Sequence, residues 1–441
     1  MRSDSISLRE CYISQKILSH KDGLIINPVP IGTGFLYAYL AREWHCILRG
    51  FFIKYRLYMN RELSKTVMMF GEENMKAKNG FLEILRLVFC LMIFMHHSGF
   101  LAVEGAAYPF KAAGFYGVEF FFILTGALTM SQVKNKMTHL SESGELKEFP
   151  MKYSARYTVS KLKKVFPYAF FGIILSYILA FISSEPQTGL KDRLFGGWNI
   201  IFEALFLPMT GIMNIDLNTF LNAPLWYLSV ILMVLPLVMY LAVRYKDVFN
   251  NYLTWIVPLM LHGLLINKYG NIGLWGEFSF FTYVGVLRGL ADILLGCFMM
   301  NLAVLIYEKA HLLDEGKRKV LTGILTVAEI LLYLFAIHTF SSNVDGYTYE
   351  AACLLLALAV SISLSRMSLT AKIKGKFFEY AGSLALPIYC LHWPVYKYVA
   401  FYGSGLGYTG GVILTLAVCL VLSVLMKAIL SGFKKKACRK A

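Results

Sequence analysis

The sequence predicts an all-α protein, a polytopic membrane bundle of about ten transmembrane helices with both termini cytoplasmic. Three observations predict it. Of 441 residues, 57% are hydrophobic and only 16% are charged, against about 25% charged in soluble domains. Apolar runs of spanning length recur along the chain, a crossing taking about 20 helical residues. Lys and Arg gather between alternate runs, as they do in cytoplasmic loops. A formal charge of +16 can also mark nucleic-acid binding, but the basic residues here are confined to short stretches beside apolar ones, so no nucleic-acid partner is expected.

The ten runs lie near 81–101, 112–131, 165–183, 225–243, 252–267, 279–305, 320–340, 350–366, 381–402 and 411–430. Loop 132–164 carries Lys134, Lys136, Lys147, Lys152, Arg156, Lys161, Lys163 and Lys164. Arg244 and Lys246, then Lys309, Lys317, Arg318 and Lys319, then Lys372, Lys374 and Lys376 mark the next basic loops, and residues 434–441 form a basic tail. The opposite loops, such as 341–349 and 403–410, have almost none. Residues 199–213 are half-apolar. If they crossed, loop 244–251 would change sides and the charge pattern would break, so 184–224 reads as an outer excursion holding a re-entrant or interfacial helix. Asn214, Asp216, Asn218, Asn222 and Pro224 suit a polar outer loop.

Residues 1–74 read as a basic extension, with apolar stretches broken by charge. The extension is interfacial or disordered, or else the natural start is Met75, after Gly71-Glu72-Glu73-Asn74, and the transmembrane domain runs 75–433. A peptide from 1–60 in the native protein would rule out a start at Met75. No cleavable signal peptide is expected. The eight cysteines form no CxxC pair, and neither a disulfide framework nor a metal-ligand spacing is present. There is no GxSxG, HExxH or phosphate-binding loop, so those chemistries lose their usual support.

Ionisable residues inside spanning helices are expensive and mark candidate sites. The first run holds Glu83, Arg86, His96 and His97. Glu83 and Arg86, three apart, can pair. Arg86 and His97, eleven apart, share a face about 16 Å apart along the axis. Glu119, alone in the second run, needs a cation or a proton, and His97 or Arg86 could supply it. The bland alternatives are snorkelling at the boundary for Glu83 and Arg86, a hydrogen-bonded core histidine for His97, and an interhelix ion pair for Glu119. Arg288 and Asp292 can pair along one helix. His262 and His338 read as satisfied core or boundary histidines, and Trp226-Tyr227 as an interfacial belt. Pro394, in His392-Trp393-Pro394, frees a backbone carbonyl that the surroundings must satisfy.

Several of these residues fall in motifs. Leu82-Glu83-Ile84-Leu85-Arg86, ten residues, then His97 resembles the D/E-x-x-R-x10-H opening of the acyltransferase-3 family. Residues 117–126 (GVEFFFILTG) resemble its GV-D/E-x-FF-x-x-S-G, with Thr125 for the usual Ser. Lys161 to Pro167 resembles R-x-x-R-x-x-P with Lys161 and Lys164 for Arg, which keeps charge but loses the bidentate fork. Leu225-Trp226-Tyr227-Leu228-Ser229 resembles W-F/Y-L-S, and Ser383, Tyr389 and His392 resemble S-x-x-x-Y-x-x-H. These motifs cover 82–392 in order.

The resemblance implies a membrane enzyme of the cell (plasma or inner) membrane. It would move an acyl group, usually acetyl, from acetyl-CoA or another acyl-CoA to a hydroxyl of an envelope glycan or similar acceptor. His97 would be the catalytic base with Glu119 as its partner; Arg86, Glu83, Lys161 and Lys164 would help hold the donor. The chemistry suits these residue types: imidazole can take a hydroxyl proton near neutral pH, and CoA phosphates need cations. A multi-pass transporter or flippase for a glycan or lipid-linked substrate, and a binding or scaffolding membrane protein, are the rival readings. Whether His96 or His97 faces the site stays open, as does the acceptor.

Overall fold

The computed structural model describes residues 79–102, 113–140, 150–183, 197–212, 220–340 and 346–440. The extension 1–74, the Met75 start, Lys147 and the polar residues Asn214, Asp216 and Asn218 lie outside the described residues.

The described chain is almost wholly helical. It runs through α1 (Gly80–His96), α2 (Ala113–Leu140), α3 (Pro150–Ser183), the short α4 (Trp198–Ala204), α5 (Trp226–Arg244), α6 (Thr254–Tyr269), α7 (Val284–His311), α8 (Glu315–Phe340), α9 (Gly346–Ser365), the short α10 (Lys376–Ser383), α11 (Ala385–Tyr402) and α12 (Gly407–Lys440). Among the described residues the one strand pair is a two-residue antiparallel ladder, β1 (Phe278–Ser279) with β2 (Thr282–Tyr283). Each expected run falls on one of the ten longer helices. Among the described residues, eight stretches, embracing all of these but α2 and α11, are long and apolar enough to cross a membrane. α2 and α11 are of similar length and carry Glu119 and His392.

Burial is inverted relative to a soluble protein. Glu119, Arg288, Asp292 and Glu329 are 0% exposed, while Ile324, Val327 and Leu331 on α8 are 59–61% exposed. Apolar side chains facing outward and ionisable ones facing inward fit a hydrocarbon solvent. The protein is a multi-pass membrane protein.

The bundle centre is built on close backbone approach. A Cβ at Gly126 would lie 1.9 Å from the Ile293 carbonyl oxygen, and one at Gly296 would lie 2.0 Å from that of Ile123. These two glycines let α2 and α7 touch backbone to backbone, the small-residue packing that suits helix pairs in membranes. The glycine that closes the 117–126 motif is therefore a packing residue.

α1 begins with a side-chain cap. Asn79 Oδ1 accepts from the amides of Phe81 (3.0 Å) and Leu82 (3.3 Å), satisfying donors that a helix start leaves open. Asn79 Nδ2 also donates to the Ser363 carbonyl at the end of α9, and the Gly80 amide donates to Ile373. These bonds fix the first turn, which holds Glu83, against the α9–α10 connection.

Residues 199–213 do not form a span, as the charge pattern requires. α4 is seven residues long and is followed by Phe206 at φ 55° and a 3-10 turn, Pro208–Thr210. Glu203 ties this excursion down. Its carboxylate accepts from the backbone amides of Leu221 (2.6 Å) and Asn222 (3.0 Å). Burial pushes its pKa up to about 7, and those two amide bonds and nearby Lys397 pull against that rise. Ser229 of the W-F/Y-L-S-like motif donates to Phe206 O (2.6 Å) and accepts from the Met209 amide.

Candidate active site

Two sets of motif residues meet, one near each end of α1. At its N-terminal end, Arg86 Nη1 donates to both carboxylate oxygens of Glu83, at 3.1 and 3.2 Å. The pair lines a cavity of about 260 Å³ with Asn79, Asn135, Lys161 and Arg366. Lys161 sits 5.1 Å from the Tyr157 ring centroid and is in electrostatic reach of Arg86. The expected Glu83–Arg86 pair and Lys161 are thus together, and Arg366 joins them. Lys164 is exposed and does not line the cavity. Arg366 belongs to no motif; its position at the end of α9, beside the basic 372–376 stretch, was the one hint in the sequence.

At the other end, His97 lies just past α1 on the 3-10 turn His97–Leu101. Its Nδ1 is 3.0 Å from the Ile93 carbonyl oxygen and 3.1 Å from His392 Nε2. His392 Nδ1 is 2.7 Å from the Tyr389 carbonyl oxygen. A carbonyl only accepts, so both Nδ1 atoms carry the proton. His97 Nδ1–H then points at a carbonyl and at the lone pair of His392 Nε2, and His97 Nε2 has no hydrogen-bond partner among the described residues. His96 packs edge-on to His97, with ring centroids 4.8 Å apart; it is His97 that meets His392. The Trp393 ring stands edge-on to His97 at 5.1 Å, and its buried Nε1–H has no hydrogen-bond partner among the described residues.

Proline explains how α11 delivers His392. Pro394 has no amide hydrogen, so the Cys390 carbonyl one turn earlier loses its helical donor. Asn222 Nδ2 donates to that carbonyl at 2.8 Å, and Tyr389 hydroxyl donates to the Pro224 carbonyl. The outer excursion therefore closes on α11 beside the histidine pair. Motif aromatics join the two ends of the site. Tyr227 hydroxyl is 3.5 Å from Thr125 Oγ1, the Tyr227 and Tyr389 rings are 6.0 Å apart, and Tyr389 is 5.8 Å from His392. Trp226 and Tyr227 are buried rather than lying in an interfacial belt. The cause is packing: Trp226 stacks on Trp275 at 5.3 Å.

Glu119 has other partners than the expected histidine. Arg288 Nε donates to its two oxygens at 2.9 and 3.0 Å, Arg288 Nη2 adds a third bond, and Tyr349 hydroxyl donates at 2.8 Å. Arg288 Nη1 also reaches the Gly273 carbonyl at 2.7 Å. The carboxylate meets a bidentate guanidinium, the stronger partner in a dry interior, and the orienting contact on His97 comes from His392. Arg288 in turn does not pair along its own helix with Asp292. Asp292 lies 3.2 Å from His262 Nε2, whose Nδ1 is 2.9 Å from Glu350. His262 is a buried histidine, as read from the sequence, and lies between carboxylates of α7 and α9.

Cys90, Cys297, Cys353, Cys390 and Cys419 are buried and unbridged. No group of three or more metal-ligating side chains occurs among the described residues. No curated protein and no solved structure matches the chain. A family model described as an acyltransferase domain matches residues 79–428. That stretch is most of the chain and contains the cation-lined cavity, the histidine pair and the buried Glu119–Arg288 pair, and on it the chain belongs to the acyltransferase-3 family of membrane acyltransferases.

Proposed function

We propose that the protein is an O-acyltransferase of the plasma or inner membrane. It transfers an acyl group, acetyl first among them, from cytosolic acyl-CoA to a hydroxyl of an envelope glycan. The observation that carries this reading is His97, whose Nδ1 is engaged by Ile93 O and His392 Nε2 while its Nε2 stays open. That is the form a general base needs.

The basic end of the bundle faces the cytoplasm, where CoA thioesters are. Arg86, Lys161 and Arg366 help hold the donor in the cavity they line. The pantetheine arm then runs along α1, past Thr125, Tyr227 and Tyr389, over the roughly 16 Å that separate Arg86 from His97. The acceptor hydroxyl enters from the opposite end and gives its proton to His97 Nε2 as its oxygen attacks the thioester carbonyl. The Trp393 indole N–H beside His97 is a donor for the oxyanion. The C–S bond then breaks, and the thiolate takes the proton back from His97. Through this cycle His392 Nε2 accepts from His97 Nδ1–H and stabilises the imidazolium, the role a carboxylate plays in other base dyads. Glu119 acts through Arg288 and Tyr349 as an anchor of the outer half of the bundle.

The reading is tested by acyl transfer and acetyl-CoA hydrolysis with purified protein. His97→Ala is expected to lower the rate by about 10²–10⁴, and an unchanged rate with intact fold would remove His97 from the mechanism. In cells, Glu119→Gln separates an enzyme from a flippase: the enzyme loses glycan O-acetylation, whereas a flippase loses glycan export with acetylation unaltered.

A further inference from the structure

A second basic cavity adjoins the donor cavity. It has a volume of about 790 Å³, and Arg318, Lys319, Arg366, Lys372 and Lys374 line it, with Glu315 as its one carboxylate. Glu315 is already committed to Lys319 at 2.7 Å. Arg366 lines both cavities, so the two meet at that side chain.

The wall that carries three of these cations is held in place. Thr370 Oγ1 donates to Glu329 at 2.7 Å, Ser363 Oγ donates to the other oxygen of Glu329, and the Leu369 amide donates to Thr326 Oγ1 at 2.9 Å. Glu329 is fully buried on α8. It clamps the 366–372 turn to the helix whose first turns carry Arg318 and Lys319. Arg366 itself sits at φ 59°, a left-handed conformation that a non-glycine residue keeps only where the surroundings impose it. Five cations against one carboxylate leave the cleft with a net positive charge, which focuses a positive potential and attracts an anion.

We infer that this cavity binds the adenosine 3′-phosphate diphosphate end of the acyl-CoA donor, while the smaller cavity at Arg86 and Lys161 takes the start of the pantetheine arm. The inference rests on the acyl-CoA reading above. The shared chemistry is a clustered phosphate polyanion, and the other source of it at a cytoplasmic membrane face is an anionic lipid headgroup.

The test is CoA binding to the full-length protein in nanodiscs, free of catalysis. Dissociation constants are measured for CoA and for 3′-dephospho-CoA, in the wild type and in the variant Arg318→Gln/Lys372→Gln/Lys374→Gln. These side chains are exposed or half-exposed, so the variant is expected to fold. In zwitterionic phosphatidylcholine the wild type is expected to prefer CoA by about tenfold or more, as befits charge-assisted phosphate bonds, and the variant to bind both alike. A preference that is absent in the wild type, or that survives in the variant, overturns the inference. So does a variant whose CoA affinity is unaltered but which no longer responds to phosphatidylglycerol added to the nanodiscs, which assigns the cavity to lipid. A wild type that binds no CoA overturns both this inference and the donor reading. Retained discrimination without acyl transfer leaves the cavity assigned and overturns only the reaction.

Discussion

A single hydrogen-bond argument fixes the chemistry available to His97. Because the carbonyls of Ile93 and Tyr389 can only accept, both imidazoles carry their proton on Nδ1, and the pair has one open base at His97 Nε2. The arrangement predicts that His392 works by accepting. His392→Gln can still offer an amide oxygen to His97 Nδ1–H, whereas His392→Leu cannot. The expected outcome is a larger loss of kcat in the leucine variant, partial rescue by glutamine, and a pH–rate profile whose acid limb moves in both; equal losses with an unmoved profile would make His392 a packing residue. Glu119 makes a different prediction. Removing one member of a buried ion pair strands a charge, at a cost of about 3–5 kcal/mol, while replacing both by apolar groups is far milder. Glu119→Leu is therefore expected to be less thermostable in detergent than Glu119→Leu/Arg288→Met. Additive losses in the double variant would show that the two residues do not act as a pair.

At the scale of elements, two contacts decide where the site's side chains point. α2 and α7 meet through Gly126 and Gly296, where an added Cβ would lie about 2 Å from backbone oxygen. Gly126→Ala must push these helices apart, carrying Glu119 away from Arg288, and the thermal midpoint should fall well below that of Gly323→Ala, where nothing lies within 4 Å. The outer excursion makes the second contact, through Glu203. Its pKa is about 7 in the folded protein against an ordinary 4.5, so between these values the folded state holds a proton the unfolded state has lost. By linkage, its contribution to stability is fully present below about pH 4.5 and is lost as pH rises through about 7. Limited proteolysis around residues 198–212 should therefore quicken from pH 5 to pH 8 in the wild type and depend less on pH in Glu203→Gln. The sequence shows why such contacts were only half legible. Spacing along one helix exposed the Glu83–Arg86 pair and the shared face of Arg86 and His97. It also made Arg288 and Asp292 look like partners, because a helix pattern displays same-helix neighbours and hides those across the bundle. Glu119–Arg288 and His97–His392 are separated by 169 and 295 residues, and Arg366 sits in a turn with no periodicity to read.

At the scale of the molecule, the charge pattern and the site make one claim about direction. The cavities lined by Arg86, Lys161 and Arg366 and by Lys372 and Lys374 open at the end of the bundle where the basic loops gather. The histidine pair is joined to the other end, where the outer excursion binds α11 through Asn222. A donor carrying several phosphates and a glycan acceptor can then approach from opposite sides only if the basic end is cytoplasmic, as the positive-inside rule expects. Two exposed positions test this. Lys317 lies at the basic end and Tyr347 at the other, and both side chains are well exposed. In a background with Cys11, Cys46 and Cys438 changed to Ser, the five buried cysteines are shielded. Tyr347→Cys should then react with a membrane-impermeant maleimide applied to intact cells, and Lys317→Cys only after the cells are opened. The reverse pattern would turn the molecule over. It would place the basic cavities away from the cytosol and its acyl-CoA, and the direction of transfer proposed for His97 would fall with it.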